Sequence, residues 1–493
     1  MEALQIRYAA AGDTVTLYWD KPADADADEC YAVYLGGRRL GETRRTHYTL
    51  TQLTPDTEYA PEIRRADGTG TKCCVRSAPA LRRLDVRLFG AKGDGEQMDT
   101  AALQAAIDAC TAGEEVWLPA GVYRSGALRL HSDMALHLDD GAVLQGTARP
   151  QDYLPRIPSR FEGVERECYS SLLNLGTLDH RGGCSCRNVL IYGQGTIASG
   201  GQALAFAIIE QERERLREYL SENAALVASC ENEHTIPGRV RPRLINLSNC
   251  EHVRITGLTL QNGASWNVHM IYSRGILTDH CVFRSEGVWN GDGWDPDSSE
   301  DCTIFACRFF TGDDAVAIKS GKNPEGNRIG RPTRGIRIFD CVSEFGHGIV
   351  IGSEMSGGVE DVAIWDCDLG QAEQGIEVKA TPKRGGYVRS FSVRDCTVAR
   401  VLMHSVGYND DGEPGPSQPV FEGFRFERVR ILGQSLDREG AVTARPAIEL
   451  CGFSDAGHEI RDLRFTDCTL AEGNQGLRLQ RCSGLSFENL LCE

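Results

Sequence analysis

The 493-residue chain contains no run of about 18 consecutive apolar residues, so the sequence predicts no membrane-spanning helix. Basic residues are also outnumbered, because 53 Lys and Arg stand against 70 Asp and Glu and give a formal net charge of -17. Since phosphate binding requires a basic face, this balance argues against nucleic acid as a general partner. Lysine is scarce: only seven of the 53 basic residues are Lys, and four of the seven lie between Lys319 and Lys383.

The N-terminus and the cysteines indicate the expected compartment. Residues 1–7 lack a basic segment followed by an apolar run, so no secretory signal is indicated and we expect a cytoplasmic protein. A leader preceding this sequence would instead indicate a secreted or periplasmic protein. The 19 cysteines are expected to be reduced thiols, because disulfide frameworks are typical of small secreted domains. Cys73-Cys74 and Cys184-x-Cys186 lack a second pair at zinc-ligand spacing, and we expect no metal and no cofactor.

Residues 1–80 show short strand patterns separated by turn residues. Val15 to Trp19 and Tyr31 to Tyr34 alternate with a period of two, and Leu53-Thr54-Pro55-Asp56-Thr57-Glu58-Tyr59 then places a turn before a tyrosine. This combination resembles a fibronectin type III module, in which a tyrosine lies at a strand corner. The resemblance implies a small β-sandwich that positions a neighbour or binds a partner, and we assign no chemistry to it.

A repeat governs the rest of the chain, residues 81–493. Its unit is a run of alternating apolar residues, then Asp-Cys or a related pair, then an aromatic or aliphatic residue, as in Ile336-Arg337-Ile338-Phe339-Asp340-Cys341. Successive cysteines at 281, 307, 341, 367 and 396 stand 26, 34, 26 and 29 residues apart. Because such a unit is too small to bury its own apolar face, we expect stacked coils with one strand in each long sheet. The sequence therefore predicts an all-β protein, a parallel β-helix preceded by the small sandwich.

Three further features belong to this prediction. The 54 glycines are assigned to tight corners between strands, and most cysteines to a reduced ladder inside the coils. Residues 203–228 combine apolar residues with Glu and Arg at helical spacing, which predicts a helix inserted between coils. Such a helix packs on the outside or shapes one end of a cleft.

Polar residues recur at about one-coil intervals. Asp313 follows Asp292 by 21 residues, His347 follows Asp314 by 33, and Lys379 follows His347 by 32. Since residues one coil apart lie on adjacent strands about 4.8 Å apart, we expect a column of carboxylates, an imidazole and an ammonium on one face. Gly312 would permit the backbone kink that turns two adjacent aspartates to the same side.

Stacked carboxylates repel one another, so at least one pKa is expected to rise. A protonated carboxylic acid near neutral pH, beside ionised groups that hold and deprotonate water, is the apparatus of glycoside hydrolysis. The column therefore predicts a glycoside hydrolase.

The motifs in this column are similar to those of the polygalacturonase family, glycoside hydrolase family 28. Asn290-Gly291-Asp292 matches the family's Asn-x-Asp, Asp313-Asp314 its Asp-Asp, and Gly346-His347-Gly348 its Gly-His-Gly. The resemblance, from about Asp85 to the C-terminus, implies a right-handed parallel β-helix that hydrolyses galacturonic-acid bonds of pectin with inversion. It implies that Asp313 is the general acid, that Asp292 and Asp314 activate water, and that His347 keeps the acid poised.

The substrate side of the resemblance carries one departure. The family's Arg-Ile-Lys, which grips a galacturonate carboxylate, appears here as Glu377-Val378-Lys379. Lys379 is retained, whereas Glu377 would repel a second galacturonate if it faced the cleft, unless another cation replaces the arginine. The substrate-binding candidates at this stage are Lys379, Asn290, His269, Lys319, Glu377, Lys383 and Arg384. For His269, which precedes Asp292 by 23 residues, substrate contact and structural hydrogen bonding stay equally open.

Stretches such as Gly291 to Ser298 and Lys383 to Val388 resemble the bacterial exo-acting branch, which often carries an N-terminal fibronectin type III module. The resemblance thus implies an exo-acting hydrolase of pectin-derived oligo- or polygalacturonate in cell-wall carbohydrate breakdown. One alternative is a hydrolase of rhamnogalacturonan or another galacturonate-containing glycan, because of Glu377. More distant alternatives are a calcium-dependent pectate lyase and a non-catalytic glycan-binding β-helix. Oligomeric state is left open.

Overall fold

The computed structural model describes residues 3–437 and 439–493. The chain divides into two compact units, Met1–Arg83 with Thr111–Glu115, and Leu84–Cys110 with Val116–Glu493. Among the residues described, no helix is both long enough and apolar enough to cross a membrane.

The N-terminal unit contains antiparallel sheets of three, four and two strands. In order, their strands are Arg7–Ala11, Thr14–Tyr18 and His47–Leu50; Arg38–Thr43, Tyr31–Leu35, Pro61–Arg64 and Gly70–Lys72; and Glu58–Tyr59 and Val75–Arg76. Trp19 is fully buried and meets Tyr31 edge-to-face at a ring distance of 5.1 Å. The Tyr59 hydroxyl accepts a hydrogen bond from the Thr54 backbone N–H at 2.9 Å. A tryptophan core and a tyrosine tied back to the preceding turn therefore organise this unit.

The second unit is a right-handed parallel β-helix with three long sheets, which we name sheets A, B and C. Sheet A contains Arg82–Asp85, Glu114–Leu118, Met134–Leu138, Cys186–Gly193, Cys250–Thr256, Leu277–Asp279, Thr303–Phe305, Thr333–Phe339, Val359–Trp365, Tyr387–Arg394, Val420–Glu427, Ile460–Thr466 and Cys482–Glu488. Sheet B contains Asp94–Met98, Gly121–Ser125, Ala142–Gly146, Thr196–Ala198, Thr259–Gln261, Val282–Arg284, Arg308–Phe310, Val342–Phe345, Asp368–Leu369, Thr397–Val398, Arg430–Ile431, Thr469–Leu470 and Leu491–Cys492. Sheet C contains Leu128–Leu130, Leu173–Gly176, Ile245–Ser248, Val268–Ile271, Trp294–Asp297, Val316–Ile318, Gly348–Ile351, Gly375–Ala380, Arg400–Ser405, Ile448–Cys451 and Leu477–Gln480. The predicted β-helix is confirmed.

The corner between sheets A and B explains the Asp-Cys repeat. Asp340, Asp366, Asp395 and Asp467 adopt the left-handed conformation, with φ of 48°, 56°, 52° and 53°. Aspartate tolerates this region because its short side chain hydrogen-bonds locally, so one residue can turn the chain. The expectation that glycine makes the corners is therefore wrong for these four coils, although a glycine occupies the same corner in earlier coils, as Gly257 does at φ 78°.

The cysteine that follows each corner points into the coil. Cys281, Cys307, Cys341, Cys367 and Cys396 are buried free thiols. Backbone N–H groups approach thiols of the next coil, as from Cys281 to Cys307 Sγ at 3.4 Å. Beside them, the rings of Phe305, Phe339 and Trp365 stack at 4.7 and 4.5 Å. Like side chains thus pack on like across coils, and this repetition forms the predicted ladder.

The described part of the chain contains six α-helices. They are α1 Thr100–Ala109, α2 Gly201–Arg215, α3 Arg217–Glu222, α4 Ala224–Ala228, α5 Thr235–Gly238 and α6 Glu325–Ile329. Two 3₁₀ helices, Val86–Phe89 and Pro150–Tyr153, and two hairpins, Ile157–Phe161 with Val164–Cys168 and Gln434–Leu436 with Val442–Ala444, complete the structure.

The inserted segment at 203–228 is built from α2, α3 and α4 rather than from one helix. Leu204, Ile208 and Ile209 on α2 are fully buried, so this helix packs against the coils. Glu231, just beyond α4, donates its backbone N–H to Asn409 Oδ1 at 3.0 Å. The insertion therefore both packs on the β-helix and reaches a loop beside sheet C.

Candidate active site

The polar column lies in the turns that lead into four consecutive strands of sheet C. Asp292, the Asp313-Asp314 pair, His347 and Glu373 each stand one to three residues before such a strand. Backbone hydrogen bonds tie these turns together, since Gly293 N–H donates to Asp314 O at 2.9 Å and His347 N–H to Asp313 O at 3.0 Å. The coil spacing therefore brings the predicted carboxylates and imidazole together.

Asp313 and Asp314 face the same imidazole although they are neighbours in sequence. His347 Nδ1 lies 3.0 Å from Asp313 Oδ1 and 2.9 Å from Asp314 Oδ1. The turn that allows this requires glycine: a Cβ on Gly312 would lie 2.3 Å from Val288 O, and one on Gly346, at φ 102°, would lie 2.4 Å from Asp313 O. The kink expected from Gly312 is thus supported by close backbone packing.

His347 is surrounded by acid. Its Nε2 lies 3.2 Å from Glu373 Oε2, so three carboxylates contact one ring. Although burial alone would lower the pKa of His347, the charge of Asp313 and the hydrogen bonds that the ring donates to the three carboxylates raise it well above the ordinary value. Glu373 did not emerge from sequence reasoning, yet it follows His347 by 26 residues, which is one coil.

The two aspartates carry opposite pKa shifts. Burial would raise the pKa of Asp313, but the charge of His347 outweighs it and the pKa falls below its usual range. Burial raises the pKa of Asp314, and repulsion from Asp313 adds to this, against the attraction of Lys379. The Asp313 side chain is 18% exposed and that of Asp314 only 5%, so Asp313 is the more accessible of the pair.

A buried trio lies beside the pair. Lys319 Nζ lies 3.2 Å from Asp292 Oδ2 and 3.5 Å from Asp295 Oδ2. Burial, with mutual repulsion, raises the pKa of Asp292 well above normal, and burial raises that of Asp295 to about 7. Lys319, predicted to bind substrate, thus holds this carboxylate pair.

Lys379 closes the other side of the column. Its Nζ lies 3.8 Å from Asp314 Oδ1 and 3.3 Å from Glu377 Oε2. Glu377 Oε1 in turn lies 2.7 Å from His404 Nε2. Burial would raise the pKa of Glu377, but Lys379 and the His404 hydrogen bond lower it to about 2. Glu377 is therefore an ionised, doubly partnered carboxylate.

A spacing suited to a cation also occurs here. The candidate ligand atoms of Asp313, Asp314 and His347 all lie within 4.8 Å of one another. In the structure, His347 Nδ1 instead contacts both carboxylates at hydrogen-bonding distance. A metal bound by all three side chains would have to replace the proton on that nitrogen.

Known proteins share this arrangement of coils and motifs. Residues 181–408 match the family model of glycosyl hydrolases family 28, and residues 84–146 match the rhamnogalacturonase A/epimerase, pectate lyase-like model. A grapevine (Vitis vinifera) protein named "Probable polygalacturonase" is 30% identical over 420 residues, covering 80% of this chain and 79% of that protein. The chain belongs to glycosyl hydrolase family 28.

Two further proteins match nearly the whole chain. The exo-poly-alpha-D-galacturonosidase of Dickeya chrysanthemi is 25% identical over 547 residues, 99% of this chain and 90% of that protein. The solved structure of the Yersinia enterocolitica family 28 exopolygalacturonase superposes with a TM-score of 0.79 at 22% identity, covering 99% of this chain and 98% of that one. The fold of this family 28 hydrolase thus agrees with that structure over both units.

The remaining predicted substrate-binding residues lie at different depths. Asn290 Nδ2 donates to Asp313 Oδ2 at 3.4 Å, so Asn290 contacts the Asp313–Asp314 pair. Arg384 is fully buried and donates to Ser353 O and Asn323 Oδ1, which makes it a scaffold residue rather than a substrate contact. Lys383 Nζ donates to the Asp410 carbonyl at 2.8 Å, and Lys383 lines an adjoining cavity rather than the one around the Asp313–Asp314 pair.

For His269, the structure favours structural hydrogen bonding over substrate contact. Its side chain is fully buried, between Arg243 Nε and Asp297 Oδ2, each at 3.3 Å. Burial lowers its pKa to about 3, so it is neutral. The parallel register pairs His269 with Asp295 rather than with Asp292, because Asp292 precedes the strand in its turn.

The family 28 site opens into a cavity of about 210 Å³. Its lining residues are Phe161, Glu162, Glu231, Trp266, Trp289, Asn290, Asp292, Asp313, Asp314, Lys319, His347, Gly352, Ser353, Glu354, Lys379, Tyr408 and Asn409. Several come from the hairpin 157–168, the insertion and the loop after sheet C, which no motif marked. Glu231 and Tyr408 also line an adjoining cavity of about 740 Å³.

Proposed function

We propose that this family 28 protein is an exo-acting glycoside hydrolase that releases galacturonate from the end of polygalacturonate chains. The observation that carries this proposal is that Asp292, Asp313, Asp314 and His347 converge on one small cavity, which Lys319 and Lys379 also line. The relatives named as exo-acting on polygalacturonate over nearly the full chain support the same substrate class.

The cavity volume supports action at a chain end. Pockets for drug-sized ligands occupy about 300–1,000 Å³, whereas this one measures about 210 Å³, room for little more than one sugar ring. Glu231 from the insertion and Tyr408 and Asn409 from the opposite loop border it. The adjoining 740 Å³ cavity offers space for the rest of the chain.

In the mechanism we infer, the proton shared by Asp313 and His347 passes through Asp313 to the glycosidic oxygen. Asp313 suits this role because it is more exposed than Asp314 and lies 3.0 Å from His347 Nδ1. As the bond from the anomeric carbon to that oxygen breaks, water adds from the opposite face. Its proton goes to Asp292 or Asp314, whose raised pKa values make their ionised forms strong bases.

Glu377 does not favour a different substrate. The hypothesis of repulsion required an unbalanced carboxylate in the cleft, whereas Glu377 is ion-paired with Lys379 and hydrogen-bonded to His404. Lys379 therefore keeps its role as the uronate contact, and polygalacturonate is favoured over rhamnogalacturonan.

A product profile tests the proposal. Oligogalacturonides of defined length and rhamnogalacturonan fragments are digested with and without a chelator, and released sugars and unsaturated products are separated. We expect galacturonate from chain ends, no ultraviolet-absorbing unsaturated product, and the same rate with chelator. Unsaturated products whose formation is blocked by the chelator would instead identify a lyase. Cleavage of rhamnogalacturonan fragments only would favour a rhamnogalacturonan hydrolase. Binding without turnover would indicate a non-catalytic glycan-binding β-helix.

For the N-terminal unit we propose a fibronectin type III-like sandwich. Its sheets of three and four antiparallel strands, the buried Trp19 and the Tyr59 hydrogen bond to Thr54 support this assignment. Strand connectivity from an experimental structure of residues 1–80 tests it, and a topology other than that of fibronectin type III would contradict it.

A further inference from the structure

A series of ionisable side chains in contact runs across four coils of sheet C. Starting from Glu373, the order is His347, Asp314, Lys379, Glu377 and His404, with successive contacts of 3.2, 2.9, 3.8, 3.3 and 2.7 Å. Glu377 and Lys379 are two residues apart on one strand and share its outer face. His404 lies directly opposite Lys379 in the register of the next strand.

The position of the Lys379 ammonium is set by two competing carboxylates. It lies 3.3 Å from Glu377 and 3.8 Å from Asp314, so Glu377 holds it away from a tight pair with the catalytic base. Lys379 is only 8% exposed and Glu377 only 5%, and at such depth each attraction is weakly screened.

The contact with His404 opposes the attraction of Glu377 toward Lys379. Its Nε2 occupies one oxygen of Glu377 at 2.7 Å, while the other oxygen faces Lys379. If Glu377 lost this partner, its charge would act on Lys379 alone and draw the ammonium out of the cleft.

We propose that Glu377 and His404 are positioning residues that hold the Lys379 ammonium between two carboxylates, where it receives a uronate carboxylate. This inference rests on the proposed function, because it concerns uronate binding at the same site. It also accounts for an acidic residue beside a uronate contact: Glu377 orients the cation, and His404 contacts the Glu377 oxygen that does not face Lys379.

Steady-state kinetics on trigalacturonate test the proposal with His404→Ala, His404→Gln and Glu377→Gln. We expect His404→Ala to raise KM about ten-fold with kcat within about two-fold, the pattern of a lost binding interaction. His404→Gln, which retains a side-chain N–H donor, should restore most of the affinity. Glu377→Gln should raise KM and also lower kcat, because Lys379 then pairs closely with Asp314.

Two controls separate the possible failures. His458→Ala removes a histidine whose Nδ1 hydrogen-bonds to the Pro419 backbone carbonyl. This variant should leave both KM and kcat unchanged. Inhibition constants for galacturonate and its methyl ester should show a loss for the charged sugar only. A wild type without turnover would reject the proposed function. If the wild type is active but His404→Ala leaves KM unchanged, or if both inhibitors lose affinity equally, the positioning role alone is overturned. If His404→Ala does not fold, the KM of His404→Gln decides between these outcomes.

Discussion

At the scale of residues, the Asp313–Asp314 pair shows how one imidazole assigns two roles to identical side chains. Both carboxylates lie within 3.0 Å of His347 Nδ1, yet the pKa of Asp313 falls while that of Asp314 rises. Burial acts on both, and Asp313 differs because the charge of His347 dominates its surroundings. The more exposed aspartate is thereby linked to the shared proton, and the more buried one becomes the stronger base.

Replacing Asp313 by Asn should abolish turnover without unfolding the protein. The amide cannot deliver the proton, and removal of a general acid costs about 10²–10⁴ in rate. We expect kcat on trigalacturonate to fall by that factor with little change in KM or in the thermal unfolding midpoint. A variant that keeps more than a tenth of wild-type kcat would argue against Asp313 as the proton donor.

We expect the raised pKa of His347 to set the alkaline limit of activity. Below this pKa the ring holds its proton and supplies the acid, and as pH rises through it the proton is lost and kcat/KM falls. The alkaline limb should therefore lie above 6.5, the ordinary pKa of histidine. Glu373→Gln removes a contact that raises this pKa, so the limb should move to lower pH by about half to one unit. An unmoved limb would exclude His347 as the titrating group.

At the scale of elements, the turns before the sheet C strands carry the site, and their geometry depends on glycine. Gly346 has a φ of 102°, and a Cβ there would lie 2.4 Å from Asp313 O and from Thr311 Oγ1. Gly346→Ala should therefore displace Asp313 and His347 together, lowering kcat strongly and costing about 1–3 kcal/mol of unfolding free energy. Gly287→Ala is a matched control, since nothing lies within 4 Å of its Cβ. Equal behaviour of the two variants in kinetics and urea unfolding would contradict this account.

The elements also show what sequence can predict. Asp292, Asp313, Asp314 and His347 were predictable because a fixed coil length converts spacing along the chain into stacking. Glu373 obeys the same spacing, and His404 follows Lys379 by 25 residues, so both were within reach of the argument. Glu231 and Glu162 were not, because they reach the cleft from an insertion and a hairpin outside the repeat. His269 was ambiguous since spacing gives a residue's height along the coils but not its depth.

At the scale of the whole molecule, the positions of the few lysines explain how a protein with a net charge of -17 can bind an anionic substrate. Lys319 and Lys379 lie among the catalytic carboxylates, while most acidic residues lie elsewhere. A polyanionic substrate can therefore contact a lysine ammonium in the cleft although the protein as a whole is acidic. The interior is held by repetition of thiols and aromatic rings rather than by cross-links, since every cysteine in the described ranges is a free thiol.

The free thiols predict indifference to reductant. The thermal unfolding midpoint should be the same with and without excess dithiothreitol, because no disulfide in the described ranges constrains the unfolded chain. Cys341→Ala should lower the unfolding free energy by about 1–3 kcal/mol, since it leaves a cavity between two neighbouring coils. A lower midpoint in dithiothreitol would show that some of these thiols pair in solution.

The left-handed residue at the corner between sheets A and B has a consequence for where the coils vary in length. From Cys186–Gly193 onward, two residues separate each sheet A strand from the sheet B strand that follows it, so differences in length among these coils arise elsewhere. They arise on the two sides of sheet C: the helical insertion lies between Thr196–Ala198 and Ile245–Ser248, and the loop with α6 lies between Val316–Ile318 and Thr333–Phe339. The segment with the insertion contributes Glu231 to the cleft while the ladder stays in register, so residues that border the substrate can change without disturbing the fold.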